Sequence, residues 1–198
     1  MTTVYLVRHG AVDNPQGIEY GRLPGFPLSD RGRRQMTALG NDMKDAGIVP
    51  STIISSPLLR AQESAKIISD VLGIRSNIRT DDQLMEWDQG QWTGHPTDEF
   101  AAVSGYYATP MRVVGMESLE TMSERVRTAI AEAVASDPTG PIVIVSHREP
   151  IASALLSYLG KGFSAIHDID LLVGSAWEVI FDDADPRCRK AFDRNAER

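Results

Sequence analysis

Three short apolar runs stand out in the hydrophobic pattern of this chain, and each leads directly into polar side chains. They cover residues 4–7, 52–54 and 142–145. Runs of this length that do not alternate with polar residues are typical of strands buried on both faces of a parallel sheet. The carboxyl ends of such strands share one edge of the sheet, where ligands bind. We therefore expect the side chains that follow the three runs to meet there.

Between these strands, apolar residues recur at helical spacing. The pattern predicts helices over residues 30–46, 57–72, 117–135 and 150–159. Ser29 is a good N-cap for the first helix, and Gly47 is a plausible C-terminal stop. Pro57 suits the first turn of the second helix. The alternation of strands with helices predicts an α/β fold, a three-layer α/β/α sandwich with a mostly parallel central sheet.

The remaining segments carry weaker patterns. A weak strand and a late strand pair are predicted over residues 76–80, 170–173 and 176–181. Residues 86–116 are rich in glycine, proline and aromatic residues, which predicts an irregular insertion that could act as a lid. The tail from about residue 182 is highly charged and is expected to be loosely held. We expect residues 1–198 to form a single domain.

Composition and charge narrow the classes of function. The chain has 198 residues and a formal net charge of -7. Nucleic-acid binding is not expected, because a phosphate backbone needs a broad basic face. No signal peptide precedes the first strand, and no apolar stretch approaches the ~20 residues needed to span a bilayer. Together with a single cysteine, Cys188, these features predict a cytoplasmic protein without a membrane partner. The sequence does not predict the oligomeric state.

Basic and imidazole side chains follow the predicted strands. Arg8 and His9 follow the first run, Arg60 lies shortly after the second, and His147 follows the third. This group has no evident purpose in an apolar core, but it suits a doubly charged tetrahedral anion such as a phosphoryl group. A neutral imidazole can attack phosphorus when one ring nitrogen is free and a carbonyl holds the other as N–H. His9 is therefore a candidate nucleophile.

Five sequence blocks stand out along the chain, and three of them contain these residues. The five blocks are Leu6-Val7-Arg8-His9-Gly10, residues 27–35, residues 55–65, residues 84–94, and Val145-Ser146-His147. In this order the blocks resemble the motifs of the histidine phosphatase superfamily, the phosphoglycerate mutase-like proteins. The blocks span most of the chain, to about residue 150, and this makes a chance match improbable.

The resemblance implies a role for each of five residues. His9 is expected to be the nucleophile that forms a phosphohistidine intermediate. Arg8, Arg60 and His147 are expected to hold the phosphoryl oxygens. Glu86, in the fourth block, is expected to protonate the leaving oxygen and then to activate water. Because phosphoryl transfer depends chiefly on positioning and electrostatic stabilisation, we expect neither a metal ion nor another cofactor.

Three further residues are predicted to bind substrate. Asn14 lies one position closer to the first arginine than the phosphate-binding asparagine that family members often carry. Arg148 stands where the family usually has a small residue, and it could either contact the anion or pair with Glu149. Arg22 belongs to a loop, with Tyr20, that could contact the rest of the substrate or could be packed by its own side chains.

The predicted function is hydrolysis of a phosphomonoester of a small metabolite through a phosphohistidine. A phosphoglycerate mutase-type phosphotransferase is one alternative, but mutases tend to have a longer insertion than the one between Glu86 and His147. A low-turnover module that binds phosphate or a phosphopeptide is another. Glu86 argues against such a module, because a pure binder gains nothing from a carboxylate beside a dianion. A metal hydrolase using His167, Asp168 and Asp170 is disfavoured, since these residues suit a polar turn.

Overall fold

Six strands of the described residues form one central sheet. The computed structural model describes residues 1–74, 78–101, 115–136, 140–182 and 185–193. The strands are β1 Thr2–Arg8, β2 Thr52–Ser55, β3 Arg79–Thr80, β4 Ile142–Ser146, β5 Ala176–Phe181 and β6 Arg187–Phe192. Their order across the sheet is β3-β2-β4-β1-β5-β6.

The register of the strands brings three strand ends to one edge of the sheet. β3, β2, β4 and β1 are parallel neighbours, whereas β5 runs antiparallel to β1 and β6 antiparallel to β5. Arg8 lies opposite Ser146, and Ser55 lies opposite Val145. The carboxyl ends of β1, β2 and β4 therefore meet. The prediction of a mostly parallel central sheet is confirmed.

Helices cover both faces of this sheet. They are α1 Asp30–Asp45, α2 Leu59–Leu72, α3 Thr97–Ala101, α4 Leu119–Ser136 and α5 Arg148–Tyr158. α1 and α2 pack on one face, over a core that includes Met36 and Val143. α4 and α5 pack on the other face, over a core that includes Leu6 and Leu155. Successive strand residues thus point into different cores, and the predicted three layers are confirmed.

Three helices begin at residues other than those predicted, and one of them, α4, begins at Leu119 instead of residue 117. The backbone N–H of Ser56 donates to Val145 O at 2.9 Å, which continues the pairing of β2 with β4 beyond the strand, and α2 begins only at Leu59. α5 begins at Arg148, directly after β4. Pro150 then lies in the first turn of α5, where its missing N–H leaves no intrahelical hydrogen bond unmade.

The prediction of a strand over residues 170–173, the first of the late strand pair, is wrong. Residues 170–173 are irregular and lead into a turn, in which the N–H of Ser175 donates to Leu172 O at 3.1 Å. The turn binds the end of β1, because the N–H of Arg8 donates to Ser175 O at 3.1 Å. The second member of the pair, β5, is where it was predicted.

β6 corrects the expectation that the charged tail from about residue 182 is loosely held. Its residues pair antiparallel with β5, and Ala191 and Phe192 pack against the core under α1. Arg187 and Arg189 are exposed and alternate with partly buried residues, a pattern that suits an edge strand. Residues 183–184 and 194–198 of this tail lie outside the described residues.

The predicted insertion at residues 86–116 is described only in part. Residues 102–114 lie outside the described residues, as do residues 76–77 of the predicted weak strand, whose described part contains β3. The two described ends of the insertion touch, because the N–H of Glu117 donates to Asp88 O at 3.0 Å. A lid remains a prediction. Among the described residues, no helix is long and apolar enough to cross a membrane.

Candidate active site

Backbone hydrogen bonds hold three chain segments together just beyond the parallel strands. The N–H of His9 donates to Ser146 O at 3.1 Å, and that of Ser56 donates to Val145 O at 2.9 Å. Arg60 is the second residue of α2, and His147 is the N-cap residue of α5. Each side chain at this edge therefore projects from the end of a buried strand or from the first turn of the helix that follows.

His9 is buried, and its surroundings fix which ring nitrogen carries the proton. Its Nδ1 lies 2.7 Å from the carbonyl oxygen of Gly10. A carbonyl only accepts, so Nδ1 must donate and Nε2 keeps its lone pair. The Nε of Arg60 donates to that lone pair at 3.3 Å. Burial, and then the charges of Arg60 and Arg8, hold the pKa of His9 well below its usual value, which keeps the ring neutral.

Two guanidinium groups make this edge of the sheet positive. Arg60 is 1% exposed, and its Nη2 donates to Gly21 O at 2.8 Å. The Arg60 guanidinium also lies 4.7 Å from the centre of the Tyr20 ring, a cation–π contact. Arg8 donates from Nη1 to Leu171 O at 2.8 Å. Its Nε is buried and has no hydrogen-bond partner among the described residues, so it is available to an anion.

The Glu86 carboxyl group faces the two arginines and His147. Its Oε1 accepts from the N–H of Trp87 at 2.9 Å, and its Oε2 lies 3.9 Å from Arg60 Nη2 and 3.6 Å from His147 Nδ1. Burial, and then the charge of Glu149, raise the pKa of Glu86 to about 7. Desolvation thus outweighs the nearby guanidinium groups, and the carboxyl is partly protonated near neutral pH.

His147 is fully buried and presents one ring nitrogen to the same space. Its Nε2 lies 2.8 Å from Ser56 Oγ. Because Ser56 Oγ already accepts from the N–H of Leu58 at 3.3 Å, its own proton is free for His147 Nε2, which favours a proton on Nδ1. Nδ1 makes no hydrogen bond within the described part of the chain. Burial lowers the pKa of His147 well below its usual value.

Arg8, His9 and Glu86 line a cavity of about 330 Å³. Arg60 and His147 are not in its lining, but Arg60 contacts His9 and His147 contacts Glu86. That volume is at the lower end of the range for small-molecule sites. Another depression, of about 200 Å³, lies between β3 and α4 and is lined by groups such as Arg79 and Glu132. It contains none of the imidazole groups, so the larger cavity is the candidate active site.

Two of the three predicted substrate contacts line the cavity. Asn14 does so, but its amide closes its own loop, donating to Ile18 O at 3.0 Å and accepting from Ile18 N at 3.3 Å. Arg148 also lines the cavity. Its guanidinium pairs with Glu149 at 3.1 Å and donates to Ile166 O at 3.3 Å. Of the alternatives left open for Arg148, the structure contains the pairing with Glu149.

The Arg22 side chain is not part of the cavity lining, although its neighbours Tyr20 and Gly21 are, and its contact with substrate stays a prediction. Its Nε donates to the backbone oxygen of Glu86 at 2.7 Å, and its Nη2 pairs with Glu117 at 3.0 Å. Arg125 of α4 binds the same Glu86 oxygen and the same Glu117 carboxylate. Sequence reasoning missed Glu117 and Arg125, because nothing in their local spacing indicates a contact with residues so distant along the chain.

Three side chains at the site could also hold a metal ion. His9, Glu86 and His147 offer ligand atoms that all lie within 4.8 Å of one another. The guanidinium groups of Arg8 and Arg60 adjoin the same space and make its potential positive. A cation would be repelled there, whereas a phosphoryl dianion would be attracted.

Comparisons with known proteins agree with this geometry. Residues 4–194 match the histidine phosphatase superfamily (branch 1). The chain is 36% identical over 190 residues to an uncharacterised protein of Mycobacterium tuberculosis, covering 91% of each. It is 33% identical over 163 residues to an uncharacterised phosphatase of Bacillus subtilis, covering 82% of this chain and 79% of the relative.

A solved structure shows the same fold. It is that of phosphoserine phosphatase from Entamoeba histolytica in complex with 3-phosphoglyceric acid, with a TM-score of 0.82 and 23% identity over 98% of both chains. The resemblance noted in the sequence is thus confirmed by a match that spans nearly the whole chain. The protein belongs to the histidine phosphatase superfamily.

Proposed function

We propose that the protein hydrolyses phosphomonoesters of small metabolites, with His9 as the nucleophile and Glu86 as the general acid and base. One observation carries the proposal. The His9 ring is held neutral with its Nε2 lone pair 3.3 Å from Arg60 Nε, and a ring nitrogen of His9 lies within 4.8 Å of the Glu86 carboxyl group, whose pKa is raised to about 7. A nucleophile, positive charge and a proton donor are thus gathered around the space for one phosphoryl group.

In the first step the phosphoryl group moves from the substrate to His9. Arg8, Arg60 and His147 bind the oxygens of the dianion. His9 Nε2 attacks phosphorus, the bond between phosphorus and the leaving oxygen breaks, and the Glu86 carboxyl gives its proton to that oxygen. The alcohol departs, leaving phosphohistidine and a Glu86 carboxylate. A positioned acid of this kind typically contributes about 10²–10⁴-fold in rate.

In the second step water replaces the alcohol. The Glu86 carboxylate takes a proton from water as its oxygen attacks phosphorus, and the bond from phosphorus to His9 Nε2 breaks. Inorganic phosphate leaves, Glu86 is protonated again, and His9 regains its lone pair. The hydrogen bond from Nδ1 to Gly10 O supports both steps, because it keeps the ring in one orientation and one tautomer.

The proposed reaction needs no cofactor. Other phosphoryl-transfer sites use metal ions to neutralise charge on the transferring group. Here two guanidinium groups and His147 can play that part. Arginine suits this role because its fixed fork of N–H donors matches the oxygens of a phosphoryl group. The proposal is therefore of a cofactor-free phosphatase.

Inorganic phosphate released from p-nitrophenyl phosphate in the presence of a chelator tests the proposal. We expect His9→Ala to abolish release, and His167→Ala, which alters an exposed histidine in a 3-10 turn, to leave it intact. Vanadate, which mimics five-coordinate phosphorus, should inhibit. Full activity in His9→Ala would contradict the nucleophile, and activity lost to the chelator alone would contradict the cofactor-free reaction.

A panel of phosphorylated metabolites distinguishes hydrolysis from the mutase reaction. With 3-phosphoglycerate, a mutase would move phosphate between carbon positions without net release. We expect net release of phosphate from at least one small monoester and no such exchange. Turnover restricted to phosphoproteins would contradict the assignment to small metabolites.

A further inference from the structure

Glu86 lies on a segment without regular secondary structure, which raises the question of how its carboxyl is positioned. A 3-10 turn, Asp82–Leu84, precedes it, and residues 85–89 form neither helix nor strand. A general acid must stay within hydrogen-bond reach of the leaving oxygen. Contacts from elsewhere in the fold must therefore hold this segment.

Arg125 supplies three of those contacts. From α4, its Nη1 donates to Gln83 O at 2.6 Å and to Met85 O at 2.7 Å, and its Nη2 donates to Glu86 O at 3.3 Å. One guanidinium group thus binds two carbonyl oxygens of the segment and one of the 3-10 turn before it. Its side chain is 16% exposed, so water competes little for these donors.

The Glu117 carboxylate binds the guanidinium groups of both Arg125 and Arg22. Its Oε1 accepts from Arg125 Nε at 2.6 Å, and its Oε2 accepts from Arg125 Nη2 at 2.8 Å, a bidentate pair. The same Oε2 accepts from Arg22 Nη2 at 3.0 Å, while Arg22 Nε donates to Glu86 O at 2.7 Å. The backbone oxygen of Glu117 accepts from Trp87 Nε1 at 2.8 Å.

We propose that Arg22, Glu117 and Arg125, which we call the Glu86 clamp, position the Glu86 carboxyl for proton transfer to the leaving group. The hydrogen bonds of all three run to one another and to the segment that carries Glu86, so the clamp acts through Glu86. Its members are positioning residues. The inference rests on the proposed function, because it concerns the acid of that reaction.

The clamp predicts a loss that depends on the leaving group. An alkoxide leaves poorly without a proton, whereas p-nitrophenolate needs little protonation. If the clamp is released, the Glu86 carboxyl is misplaced while His9 and the arginines of the phosphoryl site stay in place. A misplacement of about 1 Å can cost on the order of 10²-fold in rate. Alkyl phosphates should therefore suffer much more than p-nitrophenyl phosphate.

The test compares Arg125→Met and Arg22→Met with a matched control, Arg127→Met. Arg127 lies on the same helix and contacts the Tyr158 ring, at 5.7 Å, on a different side of α4. We expect the ratio of kcat/KM for an alkyl phosphate to kcat/KM for p-nitrophenyl phosphate to fall about 10- to 100-fold in Arg125→Met. A smaller fall in Arg22→Met and none in Arg127→Met are expected.

Two further readouts complete the test. Inhibition by inorganic phosphate should be unchanged in the clamp variants, since the phosphoryl site is intact. Arg125→Lys, which keeps the charge without the fork of donors, should recover only part of the ratio. Thermal unfolding checks that each variant is folded. Arg22→Met, which removes a side chain that is 33% exposed, provides the test should Arg125→Met fail to fold.

The outcomes separate the clamp from the proposed function. Equal loss on both substrates in folded clamp variants, while the wild type shows phosphatase activity that depends on His9, would overturn the clamp alone. Absence of such activity in the wild type would overturn the proposed function. In that case an NMR titration of the Glu86 carboxyl, assigned with Glu86→Gln, still tests the clamp. An unchanged titration in Arg22→Met and Arg125→Lys would overturn it.

Discussion

At the scale of single residues, burial shifts the pKa of the proposed acid, Glu86, and that of the proposed nucleophile, His9, in opposite directions. Burial removes a titratable side chain from water and so favours its neutral form over its charged form. Burial therefore raises the pKa of Glu86 to about 7 and lowers the pKa of His9 well below its usual value. One desolvated cavity thus provides both a protonated carboxyl and an unprotonated imidazole near neutral pH.

The dependence of activity on pH should follow from these shifts. For an alkyl phosphate, kcat/KM should fall as pH rises through about 7, because Glu86 loses the proton that the leaving group needs. Because the pH dependence of kcat/KM reports pKa values of the free enzyme, this decline should follow the pKa of Glu86 in the protein without substrate. The profile is measured by initial rates in wild type and Glu86→Gln. A limb at the same pH in Glu86→Gln would show that another group is responsible.

At the scale of elements, the start of α1 holds the chain just after His9. Ala11 O accepts from the N–H of Ser29 at 2.9 Å and from Ser29 Oγ at 3.1 Å. Two glycines allow this approach. A Cβ at Gly10 would lie 2.5 Å from the backbone oxygen of Gly32, and a Cβ at Gly32 would lie 2.0 Å from Ala11 O. The position of His9 therefore depends on two backbones in direct contact.

Gly32→Ala should therefore be destabilising, although alanine is usually favoured over glycine in a helix. The clash is with backbone, which cannot move aside as a side chain can, so we expect a loss of at least about 1–3 kcal/mol and reduced kcat. Chemical denaturation measures the loss. Gly40→Ala, in the same helix, is the control, because its Cβ would meet only the Val71 side chain at 3.0 Å. Equal effects would contradict this explanation.

The sequence predicts elements well where the determinants are local. The strand ends that carry Arg8, His9 and His147 follow continuous apolar runs, and Ser29 caps α1 by accepting from the N–H of Gly32 at 3.1 Å. β6 was missed because arginine and lysine occupy half of its residues, so that the segment lacks the apolar pattern typical of a strand. The Glu86 clamp was missed for a different reason, since Arg22 and Glu117 are brought together only by the tertiary fold.

At the scale of the whole molecule, the buried carboxyl group of Glu86 should lower the free energy of unfolding. Glu86 titrates at about 7 in the fold and at its ordinary value of 4.5 when unfolded. Below the unfolded value the carboxyl is neutral in both states. As pH rises from the unfolded value to the folded value, the unfolded chain releases this proton while the fold keeps it, so stability falls across that window and the loss is complete above about pH 7. The shift corresponds to about 3 kcal/mol.

Glu86→Gln should therefore raise the thermal unfolding midpoint, and should raise it more at pH 8.5 than at pH 5. We expect a gain of several degrees at the higher pH, because about 1 kcal/mol shifts a domain of this size by about 2–4 °C. Differential scanning fluorimetry at both pH values measures it. Glu120→Gln, which alters an exposed glutamate of α4, is the control. A gain that is the same at both pH values would contradict the linkage to ionisation.

The most direct test of the central claim is to trap the covalent intermediate. Protein mixed with excess substrate is quenched within milliseconds at alkaline pH, where phosphohistidine survives, and the modified residue is located by peptide mass spectrometry and ³¹P NMR. We predict one phosphoryl group, on Nε2 of His9, which forms and decays at rates consistent with turnover and is absent from His9→Ala. A phosphoryl group on any other residue, or turnover without a phosphoenzyme that forms fast enough, would contradict the account.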